Sequence, residues 1–168
     1  MSTLPVITDL ITAGAYADQL NAYVGLVISQ CPDVSIAAEL VSIQSRLYNI
    51  VSHLTNPRVN GLGNPIPRTT FDPAYVTLVQ GWTSVRKALL TPPNIYALPG
   101  GNISVAGLFM AGRMAKRVAV QCTPLALADS IDTSVVQYLY AVSDHLFVDG
   151  RTVGVQAGDV DQTGDLVV

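Results

Sequence analysis

Charge is what this chain has least of. Of its 168 residues only 12% are Asp, Glu, Lys or Arg, with a single glutamate, Glu39, and two lysines, Lys87 and Lys116; soluble domains usually carry about 25%. Nine basic residues against twelve acidic ones give a net charge of −3, which argues against a nucleic-acid partner, since phosphate binding is driven by clustered Lys and Arg. So neutral a surface predicts that other subunits cover much of it, because charged residues are depleted at interface cores. Cysteine is scarce too. Cys31 and Cys122 sit in apolar segments without C-x-x-C spacing, which excludes a disulfide framework and predicts two small reduced residues and no metal site. No uninterrupted apolar run approaches the roughly 18 residues of a membrane span, and "MSTLPVITDLITAG" lacks a basic n-region. The expectation is a soluble, cytoplasmic protein with no membrane partner. At this length one domain with its own core is expected.

What the sequence does have is helical periodicity. From Val34 to Leu54, Ile36, Leu40, Ile43, Leu47, Ile50 and Leu54 step by four and three without a miss, which predicts one amphipathic helix. Ahead of it Asp9–Ser29 places Leu20, Val24 and Val27 on one face, and "CPD" ends that helix and offers Asp33 as the next N-cap. A third stripe runs through Tyr75, Leu78, Trp82, Val85 and Leu89 after Pro73. Asn102 is the expected N-cap of Ile103–Cys122. Asp132 is that of Thr133–Val148, with Val135, Leu139, Val142 and Leu146 inward and Gly150 as the stop. The fold class is therefore all-α, a five-helix up-and-down bundle over residues 1–151. Residues 152–168 read as an extended C-terminal arm. The Thr55–Phe71 loop is long and rich in Pro, Gly and Asn; such loops commonly carry function or an interface.

Few side chains carry chemistry. Arg113, Lys116 and Arg117 stand at i, i+3 and i+4 and share a helix face; that suits a polyphosphate, or a solvated face pairing with carboxylates. Asp18 and Asp144 lie on otherwise apolar helices and need partners if buried, so pairing with those cations across helices is expected. His53 and His145 have no local partner that makes a triad or metal pair, and both read as surface or helix-end residues. The Gly-rich "LPGG" before Asn102 either cradles an anion or starts a helix.

The order of motifs resembles the PduO-type cob(I)alamin adenosyltransferases. "GAYADQLNAYVGL", "IQSRLYNIVSHLTNP", "YALPGG", the basic run and "YLYAVSDHLFVDGR" follow the family's order from about Ala13 to Arg151. The resemblance implies a five-helix bundle that assembles as a homotrimer and binds ATP, with Mg, and cobalamin between neighbouring subunits. Asp18, Leu20, Asn21 and Gly25 match the family's DELNxxxG signature, Gln44 its IQ, and Pro99, Gly100 and Gly101 its LPGG. Ser143, Asp144, Leu146 and Phe147 match its SDxLF, and Tyr96 keeps an aromatic near the cobalamin side. Other positions depart. The family's TRTGDxGxT loop has no counterpart before the first helix. Its R-x-x-x-R-R-x-E-R falls on Gly112, Lys116, Arg117 and Ala119, with Arg113 one place away, and its helix-five Asn and Arg fall on Tyr140 and Ala141.

These departures lead to the expectation of a non-catalytic structural or assembly subunit on an adenosyltransferase-like trimer, a virion capsid or head decoration component, with no cofactor. Asp18, Asn21, Tyr96, Lys116, Arg117 and Asp144 would then be residual site positions. Arg58 and Arg68 of the loop, with Val153, Val155, Leu166 and Val167 of the arm, would make contacts to further protein subunits. Two alternatives stand beside it: an enzyme transferring adenosyl from ATP to cob(I)alamin, and a corrinoid- or nucleotide-binding module without catalysis.

Overall fold

A computed structural model describes residues 4–56, 58–63, 65–66, 71–92 and 100–158. Five helices carry the architecture: α1 (Leu4–Gln30), α2 (Val34–Thr55), α3 (Ala74–Lys87), α4 (Ile103–Leu127) and α5 (Thr133–Gln156). Between α2 and α3 two short strands, β1 (Arg58–Val59) and β2 (Pro65–Ile66), pair antiparallel with Arg58 opposite Ile66. The all-α expectation is met.

The helix starts are where short polar side chains satisfy free N–H groups. Asp33 Oδ1 accepts from the N–H groups of Ser35 and Ile36, Asn102 Oδ1 from those of Ser104 and Val105, and Asp132 Oδ1 from that of Ser134. Gly101, just before the cap of α4, sits at φ 99°, in the left-handed region that glycine enters without a Cβ clash. The described end of the Gly-rich stretch therefore serves the start of a helix.

In the bundle α1 packs between α2 and α4, α4 against α5, and α5 against α3, with α2 also reaching α5. The stripe of α2 is buried at all six predicted positions. Leu20, Val24 and Val27 of α1 and Val135, Leu139, Val142 and Leu146 of α5 join it in one core. α1 begins at Leu4, ahead of the expected Asp9, and α4 runs on to Leu127, past Cys122.

Two expectations need correction. The inward face of α3 is Val76, Val79, Thr83 and Arg86, one residue away from the predicted stripe. Leu78, Val85 and Leu89 are exposed, and Tyr75 and Trp82 lie at the core's margin. The physical reason is Arg86, which faces inward to meet carboxylates on α2 and α5. Gly150 does not stop α5 either. It lies inside the helix, where an added Cβ would come within 3.1 Å of the Phe109 ring on α4, and the helix continues to Gln156. Val153 is thus buried in the core while Val155 is exposed, and the expected arm from residue 152 starts as helix.

Candidate functional site

The structure distributes the expected site residues over the outside of the bundle. Asp18 is exposed on α1, Lys116 and Arg113 on α4, and Asp144 on α5. Among the described residues no ion pair joins Asp18 or Asp144 to these cations, so the expected pairing across helices is not formed within one chain. Arg117 is engaged: its guanidinium lies 4.0 Å above the Tyr16 ring, a cation–π contact that ties α4 to α1. Lys116 and Arg113 are left as solvent-facing cations.

Gly112, where the resemblance puts the family's first arginine, is buried between α4 and α5. A Cβ there would meet the Ser143 carbonyl oxygen at 3.1 Å and Leu146 Cβ at 3.4 Å. No long side chain fits while the two helices pack this closely, and the neighbouring Arg113 is the cation that reaches solvent. The signature around Asn21 knits α1 to α2. Gln44 Nε2 donates to the Asn21 carbonyl at 3.3 Å, and Gly25 makes room for it, since a Cβ would stand 2.9 Å from that nitrogen. Asn21 Oδ1 is buried without a hydrogen bond.

A polar groove of about 520 Å³ runs between α3 and α5, lined by Gln80, Thr83, Ser84 and Lys87 on one side and Gln137, Tyr140, Ala141 and Asp144 on the other. It brings Asp144 and Tyr140 beside Lys87, a cation that sequence reasoning had not connected with them. Arg58 lies in β1. Tyr96, Pro99, Arg68, Leu166 and Val167 lie outside the described residues.

Beneath Thr83 is a cluster the sequence did not reveal. His145 is wholly buried, correcting its reading as a surface residue; His53 does stand in the last turn of α2. His145 Nε2 lies 3.1 Å from Glu39 Oε2 and 3.2 Å from Asp149 Oδ2, and Arg86 Nη1 bridges Glu39 Oε2 and, at 3.2 Å, Asp149 Oδ1. Arg86 Nη2 also donates to Ser35 Oγ at 3.2 Å. Burial alone would raise the Glu39 carboxyl, but hydrogen bonds from His145 and Arg86 outweigh it and hold the group below the usual range. For Asp149 burial wins and pushes its pKa up to about 6, against the attraction of His145 and Arg86. Glu39, His145 and Asp149 also form a possible metal-ligand set, their ligand atoms lying within 4.8 Å of one another. Cys122 is buried as expected, its thiol pushed up to about 12 by burial, while Cys31 is only half-buried.

Solved structures share this bundle. A variant PduO-type ATP:corrinoid adenosyltransferase from Lactobacillus reuteri, complexed with cobalamin and ATP, superposes with a TM-score of 0.79 at 20% identity, covering 93% of this chain and 86% of that one. A second variant of that enzyme, complexed with ATP, gives 0.77 at 20% identity, covering 94% and 87%. The fold is therefore that of an adenosyltransferase-type helical bundle.

The family profile described as Cobalamin adenosyltransferase matches residues 7–153, and the chain belongs to that family. The corrinoid adenosyltransferase MMAB of Mus musculus is 25% identical over 143 residues, 84% of this chain and 60% of that protein. The cobalamin adenosyltransferase of Cupriavidus metallidurans is 27% identical over 146 residues, 86% and 74%. The chain thus spans about 60% of the length of its mammalian relatives. These matches overturn the expectation of a non-catalytic virion subunit. They run through α4 and α5, the two helices whose substitutions had suggested lost chemistry, and the matched proteins are enzymes. Among the described residues no helix is long and apolar enough to cross a membrane.

Proposed function

We propose that this protein is a corrinoid adenosyltransferase that moves the adenosyl group of ATP onto cob(I)alamin. The observation that carries the reading is the family match, continuous from residue 7 to 153 and so spanning all or most of every helix. In such a transfer the bond from the adenosyl C5′ to its phosphate oxygen breaks as the carbon–cobalt bond forms, and triphosphate leaves. The developing charge on the leaving group requires cations already in place. Lys116 and Arg113 are suited to it because both are solvent-facing and neither is committed to a carboxylate among the described residues.

The same reading includes a homotrimer with the substrates between neighbouring copies. Asp18 on α1, the cations on α4 and Asp144 on α5 lie on different helices, and a second copy supplies the opposing wall. The low charge and the exposed Ile11, Leu26, Val41 and Tyr48 are consistent with covered faces. Mixing the protein with ATP and chemically reduced cobalamin tests the activity, and adenosylcobalamin is the expected product. Sedimentation at micromolar concentration tests the assembly, and a species that is monomeric throughout contradicts it.

A further inference from the structure

Helix α3 keeps part of its apolar side on the outside. Because Thr83 and Arg86 take two of its four inward positions, Ala74, Leu78, Gly81, Val85 and Ala88 form an exposed seam along the opposite side. Leu78 is 45% exposed, Val85 67% and, beside the seam, Leu89 81%. Single exposed apolar residues are ordinary. Five at successive steps of four, three, four and three have the heptad spacing by which one helix packs along another. The seam also alternates in size: Leu78 and Val85 project, while Ala74, Gly81 and Ala88 leave room. A Cβ added at Gly81 would meet nothing within 4 Å, and a hollow of about 510 Å³ opens there, lined by Ala74, Thr77, Leu78, Gly81 and Trp82. No charged residue stands on the seam, since Arg86 faces inward to Glu39 and Asp149 and Lys87 lines the groove toward α5.

We propose that this face of α3 is the docking surface for α3 of a second copy of the chain, packed antiparallel about a two-fold axis. In that orientation the seam is complementary to itself. Setting Leu78 against Gly81 of the second copy puts Val85 against its Ala74, so each projecting residue meets a small one, and the two-fold repeats both contacts. The same register brings the exposed Asp72, just before α3, level with the exposed Lys87 in the last turn of the other helix. It also sets the positive end of each helix dipole beside the negative end of the other. A parallel pairing would bring like charges and like ends together. The seam lies on a different helix from Ile11, Leu26, Val41 and Tyr48, which the trimer reading covers, so this contact adds to the trimer: a two-fold joint between trimers closes as a hexamer. It does not depend on the proposed activity.

Native mass spectrometry and sedimentation of wild type, Val85→Glu and the double variant Ala74→Lys/Val85→Glu test the proposal. Ala74 and Val85 are both exposed, so the variants should keep the helical circular dichroism of wild type. Wild type should run as two units joined, a hexamer where the unit is the trimer and a dimer where it is a single chain, so failure of the trimer is read separately from failure of this contact. Val85→Glu sets a carboxylate against an apolar seam and should halve the mass. In the double variant the new carboxylate of each copy falls opposite the new ammonium of the other, and about 16 Å along the helix from the one in its own chain, so the full mass should return. An odd number of chains in wild type, a mass that Val85→Glu leaves unchanged, or a double variant that stays at half mass would each overturn the proposal. A chain of different sequence that is bound to wild type and lost in Val85→Glu would give the face to another protein and overturn it as well.

Discussion

Two charged regions of this molecule obey opposite rules. At the junction of α2, α3 and α5, Glu39, Arg86, His145 and Asp149 are largely or wholly buried and lie in mutual contact, with Arg86 between the two carboxylates. On the outer face of α4, Arg113 and Lys116 face solvent and pair with no carboxylate among the described residues. Buried charge must be paired to be tolerated, so it specifies how helices dock. Exposed cations stabilise almost nothing, and in a chain with nine basic residues in all two that stay uncommitted are free for a ligand. One region holds the fold, and in the proposed reading the other serves the chemistry.

The largest effect should come from breaking the buried set. Arg86→Ala leaves two carboxylates without their cation and should cost about 3–5 kcal/mol in urea unfolding; a loss below about 1 kcal/mol would mean that the cluster rearranges freely. Next is the seam between α4 and α5. Gly112→Ala forces a Cβ to within 3.1 Å of the Ser143 carbonyl, and overpacking of this kind should lower stability by about 1–3 kcal/mol, read as a fall in melting temperature. An unchanged melting temperature would show that the helices separate easily and that an arginine fits there after all.

A third prediction concerns a capping charge, intermediate between the two regions. Asp33 accepts from two backbone N–H groups and from Gln156 Nε2. The Gln156 bond foremost, with help from the backbone, holds its pKa down to about 2. Asp33→Ala should cost about 1 kcal/mol at neutral pH. A depressed carboxyl contributes stability above its ordinary 3.8 that is lost as pH falls through about 2, so the variant's deficit should shrink on acidification. The smallest effect on stability should be at the outer face, where Lys116→Ala stays within about 0.5 kcal/mol of wild type.

The helices were legible because their stripes are long and regular. Ile36 to Leu54 gave α2 complete, and Asp33, Asn102 and Asp132 gave three starts as real caps. α3 was misread by one residue because Thr83 and Arg86 count as polar in any hydrophobic pattern, yet they face inward. The buried cluster left only a faint trace, His145 and Asp149 at i, i+4 on an apolar helix and the chain's one glutamate beside a core leucine. Its remaining partner is more than forty residues distant in sequence from Glu39, so only folding shows the set. Function was misjudged for a different reason. Substitutions at single contacts, such as Gly112 and Tyr140, were weighed as lost chemistry, whereas Gly112 is a packing glycine and Tyr140 lines a polar groove beside Asp144 and Lys87.

The central claim is that the outer cations of this bundle serve adenosyl transfer while its inner charges serve the fold. Rates of adenosylcobalamin formation from ATP and cob(I)alamin, measured for wild type and Lys116→Ala at matched stability, test it directly. The account predicts turnover by wild type and a loss of about a hundredfold in the variant, the usual consequence of removing one charge-stabilising group from a transition state, with melting temperature unchanged. Equal rates in the two proteins, or no product from wild type under reducing conditions, would contradict it.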